Sequence, residues 1–232
     1  MFLSIRYDIL EKICGLWLSN NETQTSLSFE TSPYVGRTSL FRVLNYPDSV
    51  DFLFLGDSHT ERADFYSLFP DCSIVSQGIG GDITAGLLNR LRLTEKVKPK
   101  YIVLEIGCND LIKGKDVEEL INNYRQIVLC LKAIHPESVI IVETIYPVTK
   151  SVEDNEEWSI TLNKIKQSNV EIKKLAEDNR CQLLDTYNLF SDNDGYLKEL
   201  YSCDGLHLSG DAYLLLHKAL TRIIEQTVEA NK

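Results

Sequence analysis

The stretch VDFLFLGDSHTE, residues 50–61, guides the interpretation of the rest of this chain. Its first half is a short, almost continuous apolar run, as expected for a strand that is covered on both faces. Its second half, Gly56-Asp57-Ser58-His59, places a serine directly after that strand, behind a glycine that permits a tight turn. The serine hydroxyl is therefore expected to project beyond the strand end. Taken alone, Ser58 could equally be the cap of a helix.

Further apolar runs follow, and stretches with apolar residues at helical spacing separate them. We predict strands at residues 50–55, 73–76, 101–106, 139–143 and 182–184, and helices over 83–93, 117–134, 160–179 and 210–228. This alternation implies right-handed crossovers, so we expect an α/β fold, a three-layer α/β/α sandwich around a central parallel sheet of about five strands. The site of such a sheet forms beyond the carboxyl ends of its strands.

The residues before this alternation have a different character. Residues 1–19 are interrupted by charges and lack a small-residue cleavage site, which favours an amphipathic helix over a signal peptide. Residues 20–50 are polar and turn-rich, and we expect them to wrap the domain irregularly. We therefore predict one domain over 1–232, with the helix and wrapping segment in 1–49 and the catalytic core in 50–232.

Composition excludes several classes of function. The formal charge of −10 argues against a nucleic-acid partner and against an anionic membrane surface. No apolar run is long enough for a membrane-spanning helix. The 6 cysteines form no CxxC pair, so we predict free thiols and a cytoplasmic location. The 4 histidines lack the spacing of metal ligands, and we expect neither a metal nor an organic cofactor.

Two other predicted strand ends, and the loop before the last predicted helix, carry residues that could serve acyl transfer. Gly78-Ile79-Gly80-Gly81-Asp82 can present backbone amides to an oxyanion, although a tight turn capped by Asp82 accounts for it as well. A phosphate loop is disfavoured because the spacing of its glycines does not match. In Gly107-Cys108-Asn109-Asp110, the amide of Asn109 could donate to the same oxyanion, or the segment could be an ordinary turn.

The last of these segments, Asp204-Gly205-Leu206-His207, precedes the final helix. Its carboxylate can hold the tautomer of the imidazole, whereas an isolated pair of this kind is more often a turn beside a surface histidine. Each segment has an ordinary structural explanation, but together they supply every role that an acyl-transfer site needs.

GDSHTE, GIGGD, GCND and DGLH resemble blocks I, II, III and V of the SGNH (GDSL) hydrolase superfamily, in the correct order. The resemblance implies a flavodoxin-like sandwich and a catalytic triad of Ser58, His207 and Asp204. It also implies an oxyanion hole formed by the amides of Ser58 and Gly81 and the side chain of Asn109. The segment from Gly78 onward is most similar to the platelet-activating-factor acetylhydrolase-like and carbohydrate-esterase branch.

Some assignments stay open. Gly81 is preferred to Gly80 as donor because the donor glycine of the family directly precedes the aspartate. His59 departs from the family pattern, and we expect it to face the cleft mouth or a neighbouring loop rather than to act as a second base. Cys108 is a conceivable nucleophile, but no positioned base is evident for it. An α/β-hydrolase is disfavoured, since G-x-S-x-G is absent and the acid precedes the histidine by only three residues.

The resulting prediction is a serine esterase that hydrolyses short-chain, acetyl-type esters through an acyl-enzyme. Its substrate would be a small ester or an acylated carbohydrate. An O-acyltransferase using the same triad on a glycan or alcohol acceptor is the alternative among enzymes, and a non-catalytic glycan-binding module is the alternative outside them. Tyr146 and Trp158 are candidate residues of the cleft wall, although packing in the core or on the surface would account for each equally well.

Overall fold

A computed structural model of the protein describes residues 30–230. Its centre is a five-stranded sheet in which every pair of neighbours is parallel, in the order β2-β1-β3-β4-β5. The strands are β1 Ser49–Gly56, β2 Ile74–Gly78, β3 Lys98–Glu105, β4 Val139–Glu143 and β5 Gln182–Leu184. The predicted sheet is confirmed, and all five predicted runs are strands.

Helices connect these strands, several of them a single turn long. They are α1 Ser32–Val43, α2 Ser58–Arg62, α3 Phe65–Leu68, α4 Thr84–Arg90, α5 Cys108–Ile112, α6 Val117–Ile134, α7 Lys150–Glu153, α8 Leu162–Asp178, α9 Thr186–Phe190 and α10 Gly210–Ala230, with 3₁₀ turns at Leu91–Lys96 and Glu199–Tyr201. The predicted helix over 83–93 ends earlier than expected, because Leu91 begins the 3₁₀ turn.

The sheet separates two apolar cores, which makes the fold the predicted three-layer sandwich. Leu53 and Leu55 of β1 point into the first core, which α4, α6 and α8 cover. Phe52 and Phe54 of the same strand point into the second, which is covered mainly by α10 and the short α3 and α9. Successive side chains of a strand point to opposite faces, so a continuous apolar run is what a doubly covered strand requires.

Helix α1 corrects the expectation that residues 20–50 are irregular. Thr31 accepts a hydrogen bond from the amide of Tyr34 at 3.4 Å, and Pro33 lies in the first turn. Both are helix-start signals. Tyr34, Thr38 and Phe41 recur at helical spacing and are buried. The helix therefore packs on the domain beside β2 and α4. The helix predicted at 1–19 lies outside the described residues.

Two expectations from composition can be compared with the structure. Among residues 30–230, none of the helices combines the length and apolarity that a bilayer crossing requires. Cys72, Cys108, Cys181 and Cys203 are free thiols. Cys130, however, is disulfide-bonded, so the expectation of free thiols is wrong at that residue.

Candidate active site

The carboxyl ends of β1, β2 and β3 form the edge at which the predicted residues meet. The sheet order reverses between β1 and its neighbours, since the chain passes from β1 to β2 on one side and then to β3 on the other. Such a reversal leaves a crevice beyond the strand ends. Gly56 pairs with Gly78 on one side and with Glu105 on the other, which brings the three following loops together.

Residues 56–58 form the turn from β1 into α2 that carries Ser58, and we call it the nucleophile turn. Its glycine has no room for a side chain. A Cβ atom at Gly56 would lie 2.1 Å from Thr60 Oγ1 and 2.3 Å from the carbonyl oxygen of Glu105. After this close contact the chain turns into α2, and Asp57 caps the helix by accepting from the amide of His59 at 3.0 Å. Ser58 is the first residue of α2 and is partly exposed. Its hydroxyl is therefore available at the sheet edge.

Ser58, His207 and Asp204 form a continuous chain of polar contacts. Ser58 Oγ lies 3.0 Å from His207 Nε2, and His207 Nδ1 lies 2.6 Å from Asp204 Oδ2. With the Nδ1 proton directed at the carboxylate, Nε2 is left as an acceptor for the serine hydroxyl. These distances are those of a nucleophile, its base and the orienting acid.

The loop from 202 to 208 holds His207 through several backbone contacts. Asp204 Oδ1 accepts from the amides of His207 at 2.7 Å and Leu206 at 3.0 Å. Ser202 Oγ donates to the carbonyl of His207 at 2.7 Å. An antiparallel bridge between Ser202 and Leu208 closes the loop. The imidazole is thus fixed in position although the side chain of Asp204 is half exposed.

The charges around His207 oppose one another. Burial lowers the pKa of His207, the hydrogen bond to Asp204 raises it, and the nearby charges of His59 and Arg62 lower it, so that it lies below its ordinary value. Burial also tends to raise the pKa of Asp204. The hydrogen bonds from the His207 amide and ring outweigh burial and hold that pKa far below its ordinary value. Asp204 is therefore a carboxylate wherever His207 can act as a base.

The glycine loop after β2 contains one engaged and one free amide, and its Gly80 lies beside the serine. Gly80 lies against Ser58, since a Cβ atom there would be 3.9 Å from that of the serine, but the Gly80 amide donates to Glu61 Oε2 at 2.9 Å. Gly81 has a φ of +74°, and within residues 30–230 its amide has no acceptor. Lys113 Nζ donates to the Gly81 carbonyl at 2.8 Å. The geometry therefore favours Gly81 over Gly80 as the oxyanion donor.

Asn109 lies at the end of β3 with one amide hydrogen engaged. Its Nδ2 donates to Asp57 Oδ2 at 2.9 Å. A primary amide carries two hydrogens, so the second is available to a group in the cleft. The contact with Asp57 fixes the orientation of the amide next to the nucleophile turn. Asn109 is half-buried, as a donor at a cleft floor should be.

The sequence of residues 54–215 matches the GDSL-like Lipase/Acylhydrolase family. The chain belongs to this family. It is 30% identical over 190 residues to platelet-activating factor acetylhydrolase IB subunit alpha2 of Gallus gallus, covering 77% of this chain and 78% of that protein. Membership of this family and the similarity to this relative show that the chain is a carboxylic ester hydrolase.

Solved structures agree with this assignment. A structure from Streptococcus pneumonia, described as a platelet activating factor, superimposes with a TM-score of 0.72 at 28% identity, covering 90% of this chain and 97% of that chain. An acetylxylan esterase from Geobacillus stearothermophilus has a TM-score of 0.58 at 20% identity, covering 78% and 95%. The second likeness concerns the fold alone.

His59 of this GDSL-family hydrolase is buried against a neighbouring loop, which is the second of its two expected positions, and it does not face the cleft mouth. It is only 2% exposed, and its Nδ1 lies 3.1 Å from Asp57 Oδ1. Its Nε2 lies 3.0 Å from the carbonyl oxygen of Leu206, beside the loop that carries His207. His59 makes no contact with the Ser58 hydroxyl, which faces His207. The sequence could not show this, because Leu206 lies 147 positions away.

Two buried carboxyl groups stand behind the hydrolase site at the ends of β3 and β4. Burial and the charges of Asp57 and Glu143 raise the pKa of Glu105 well above its ordinary value. Burial raises the pKa of Glu143 to about 7, against the hydrogen bond that Tyr146 donates to it. In the sequence, each of these two residues is an acidic residue within an apolar strand run. This pattern indicates a buried carboxyl group but does not indicate its role.

An ion pair that sequence reasoning missed anchors the glycine loop. Arg90 Nε donates to Asp82 Oδ2 at 2.9 Å, and its Nη2 donates to the Gly56 carbonyl at 3.0 Å. Burial raises the pKa of Asp82 to about 6, against the charge of Arg90. A single arginine thus ties the glycine loop to the nucleophile turn. Nothing in the local motif indicates a partner at position 90.

The remaining candidates fall outside the cleft. Cys108 is 2% exposed, and burial raises the pKa of its thiol well above the ordinary value, so the thiol stays protonated and is a poor nucleophile. Tyr146 is buried in the second core, and partly buried Trp158 packs against the first, so core packing is the alternative that describes both.

One cluster in residues 30–230 has the donor set of a metal site. Asp57, His59 and Glu105 offer ligand atoms within 4.8 Å of one another. Hydrogen bonding already accounts for the approach of Asp57 and His59, and both ring nitrogens of His59 face oxygen acceptors. We assign no metal to the cluster.

Proposed function

We propose that this hydrolase cleaves short-chain esters, acetyl esters above all, through an acyl-enzyme on Ser58. The observation that carries the proposal is the contact chain from Ser58 Oγ to His207 Nε2 at 3.0 Å and from His207 Nδ1 to Asp204 Oδ2 at 2.6 Å. A hydroxyl, a neutral imidazole and a carboxylate in this arrangement are the requirements for activating a serine.

In the proposed mechanism, His207 accepts the Ser58 proton as Oγ attacks the ester carbonyl. The carbonyl oxygen becomes an anion, and the amides of Ser58 and Gly81 together with Asn109 Nδ2 donate to it. His207 then returns the proton to the departing alcohol. A water molecule, deprotonated by the same imidazole, attacks the acyl-enzyme and releases the acid.

The acyl-chain assignment has separate support. The relative from Gallus gallus is named as an acetylhydrolase. The chain also carries no long apolar insertion that could form a groove for a fatty acyl group. We therefore infer a small ester or an acetylated carbohydrate as substrate. A cytoplasmic location stays a prediction.

Ser58→Ala tests the nucleophile. Turnover of p-nitrophenyl acetate should fall by several orders of magnitude, since only binding and the oxyanion donors remain. Ser67→Ala, on the exposed surface of α3, is the matched control and should keep full turnover. Near-wild-type activity of folded Ser58→Ala would show that the nucleophile is assigned wrongly.

A panel of esters tests the acyl chain. Acetyl, butyryl and long-chain p-nitrophenyl esters should be hydrolysed with decreasing kcat/KM. A preference for the long chain would contradict the acetyl assignment and leave the nucleophile untouched. An added alcohol or sugar that diverted the acyl group from water would instead identify a transferase.

A further inference from the structure

Both ring nitrogens of buried His59 face hydrogen-bond acceptors. Nδ1 lies 3.1 Å from Asp57 Oδ1, and Nε2 lies 3.0 Å from the carbonyl oxygen of Leu206. A neutral imidazole has one N–H and could donate to only one of these oxygens. Its other nitrogen would then place a lone pair against an oxygen, without water to separate them. Only the imidazolium, with two N–H groups, satisfies both contacts.

The surroundings supply the negative charge that a buried cation requires. Asp57 is fully buried beside Nδ1, and its other oxygen accepts from Asn109. Burial tends to raise the pKa of Asp57, but the hydrogen bond and charge of His59 outweigh it and hold that pKa below its ordinary value. Asp57 is therefore the counter-ion. A buried ion pair with each remaining position hydrogen-bonded can persist, whereas an unpaired charge cannot.

The other groups around His59 come from the neighbouring elements. Glu105 Oε1 of β3 lies 3.9 Å from Nδ1, and the charge of Glu143 at the end of β4 also favours the imidazolium. The Tyr146 ring packs edge-on at 4.8 Å between centroids. Tyr213 of α10 donates its hydroxyl to the His59 carbonyl at 2.7 Å. On the remaining side, the ring of His207 lies 5.4 Å away.

Resting on the function proposed above, we propose that His59 is a positioning residue held as an imidazolium. It ties the helix of Ser58 to the loop of His207 through Leu206, and its charge keeps His207 neutral at lower pH. His59 itself does not touch the reacting atoms. Burial tends to lower the pKa of His59, but Asp57 and the Leu206 carbonyl outweigh it and raise that pKa above its ordinary value.

The effect on His207 follows from like charges at short range. The groups facing His207 are the Asp204 carboxylate, the Ser58 hydroxyl, His59 and Arg62, whose Nη1 lies 3.6 Å from Asp204 Oδ2. Asp204 favours the protonated ring, while His59 and Arg62 disfavour it. Because a general base must be unprotonated, the charge of His59 extends the active range toward acid.

Nitrogen-15 NMR of the imidazole groups in Ser58→Ala tests the charge state directly and needs no activity. We expect both nitrogens of His59 to remain protonated throughout the pH range in which His207 titrates. A single protonated nitrogen on His59 in that range would overturn the proposal. Since the measurement uses a protein without the nucleophile, its result is independent of whether Ser58 is assigned correctly.

His59→Gln tests the consequence for catalysis. The amide keeps one donor but carries no charge. The midpoint of the acid limb of kcat/KM should therefore rise by about one pH unit, so that kcat/KM below the midpoint falls about tenfold. His217→Gln, a half-buried histidine of α10 outside the site, should leave the limb in place. A purely structural role would lower the plateau without moving the midpoint, and that result would contradict the proposal. If His59→Gln does not fold, the NMR measurement decides.

Discussion

At the scale of single residues, some hydrogen-bond donors of the site are engaged within the protein, and others are left free to bind a substrate. Asn109 shows this most clearly, because one hydrogen of its amide is fixed on Asp57 and the other is left for the cleft. The amide of Gly80 is used by Glu61, whereas that of Gly81 is free within the described chain. On the proposed function, donors held in this way are already oriented when charge develops on the substrate, as stabilisation of a transition state requires.

Asn109→Ala should lower kcat by about 10²–10³-fold with little change in KM, because the donor acts mainly on the oxyanion. Steady-state kinetics on an acetyl ester measures both constants. Asn123→Ala is the matched control. The side-chain amide of Asn123 donates to Thr84 Oγ1 over a distance of 3.1 Å, and Asn123 has no part in the proposed oxyanion hole. If Asn109→Ala lowered the Tm but left kcat unchanged, Asn109 would only stabilise the turn that follows β3.

The sequence predicted the positions of these residues better than their surroundings. Each of the four motifs is local. A strand end followed by a glycine or a polar residue placed Ser58, Gly81 and Asn109 at one edge, and the loop before the final helix added His207. The burial of His59 could not be inferred, because its partner Leu206 is distant in the chain. The same holds for Arg90, which reaches the Gly56 carbonyl 34 positions away.

At the scale of secondary-structure elements, length decided which predictions succeeded. Helix Val117–Ile134 was predicted to the residue, because five turns of apolar spacing leave little freedom. One-turn helices such as Cys108–Ile112 and Thr186–Phe190 were missed, since so short a segment carries no period. The sequence does not predict helix Ser32–Val43, because residues such as Thr31 and Pro33 occur in turns as well as at a helix start.

Arg90 of α4 contacts both Asp82 and the Gly56 carbonyl, and this connection between elements can be tested by its contribution to stability. Arg90→Leu should lower the free energy of unfolding by about 3–5 kcal/mol at neutral pH, since it leaves the buried Asp82 carboxylate without its partner. Chemical denaturation measures this value. Arg92→Leu, on the exposed side of the following 3₁₀ turn, should change it by less than about 0.5 kcal/mol. Equal effects of the two substitutions would show that the ion pair is not important for stability.

At the scale of the whole molecule, buried carboxyl groups determine how stability depends on pH. Burial raises the pKa of Asp82 to about 6, and it raises those of Asp110 and Glu143 to about 7. The folded state therefore holds protons that the unfolded chain has already released above about pH 4. Stability from these groups is complete at low pH and falls as pH rises through about 4 to 7. The lowered pKa of Asp204 acts oppositely, since its contribution is lost only in strong acid.

Glu143→Gln should make this decline shallower. The amide oxygen can still accept from Tyr146 but does not ionise, so a shift from 4.5 to about 7 is removed, which corresponds to about 3 kcal/mol between pH 5 and 8. Unfolding curves at several pH values measure the difference from wild type. Glu137→Gln, on an exposed loop, should follow the wild-type curve. A Glu143→Gln curve parallel to wild type would mean that Glu143 is ionised at the same pH in both states.

The distance in sequence between Ser58 and His207 also has a consequence for biosynthesis. The two side chains that meet at 3.0 Å are separated by 149 positions. A nascent chain that has emerged from the ribosome only as far as the fourth strand already presents the serine, the glycine loop and Asn109, but it has no base. On the proposed mechanism, the serine therefore stays unactivated during most of translation. It gains its base only when the loop before α10 has been synthesised and docked.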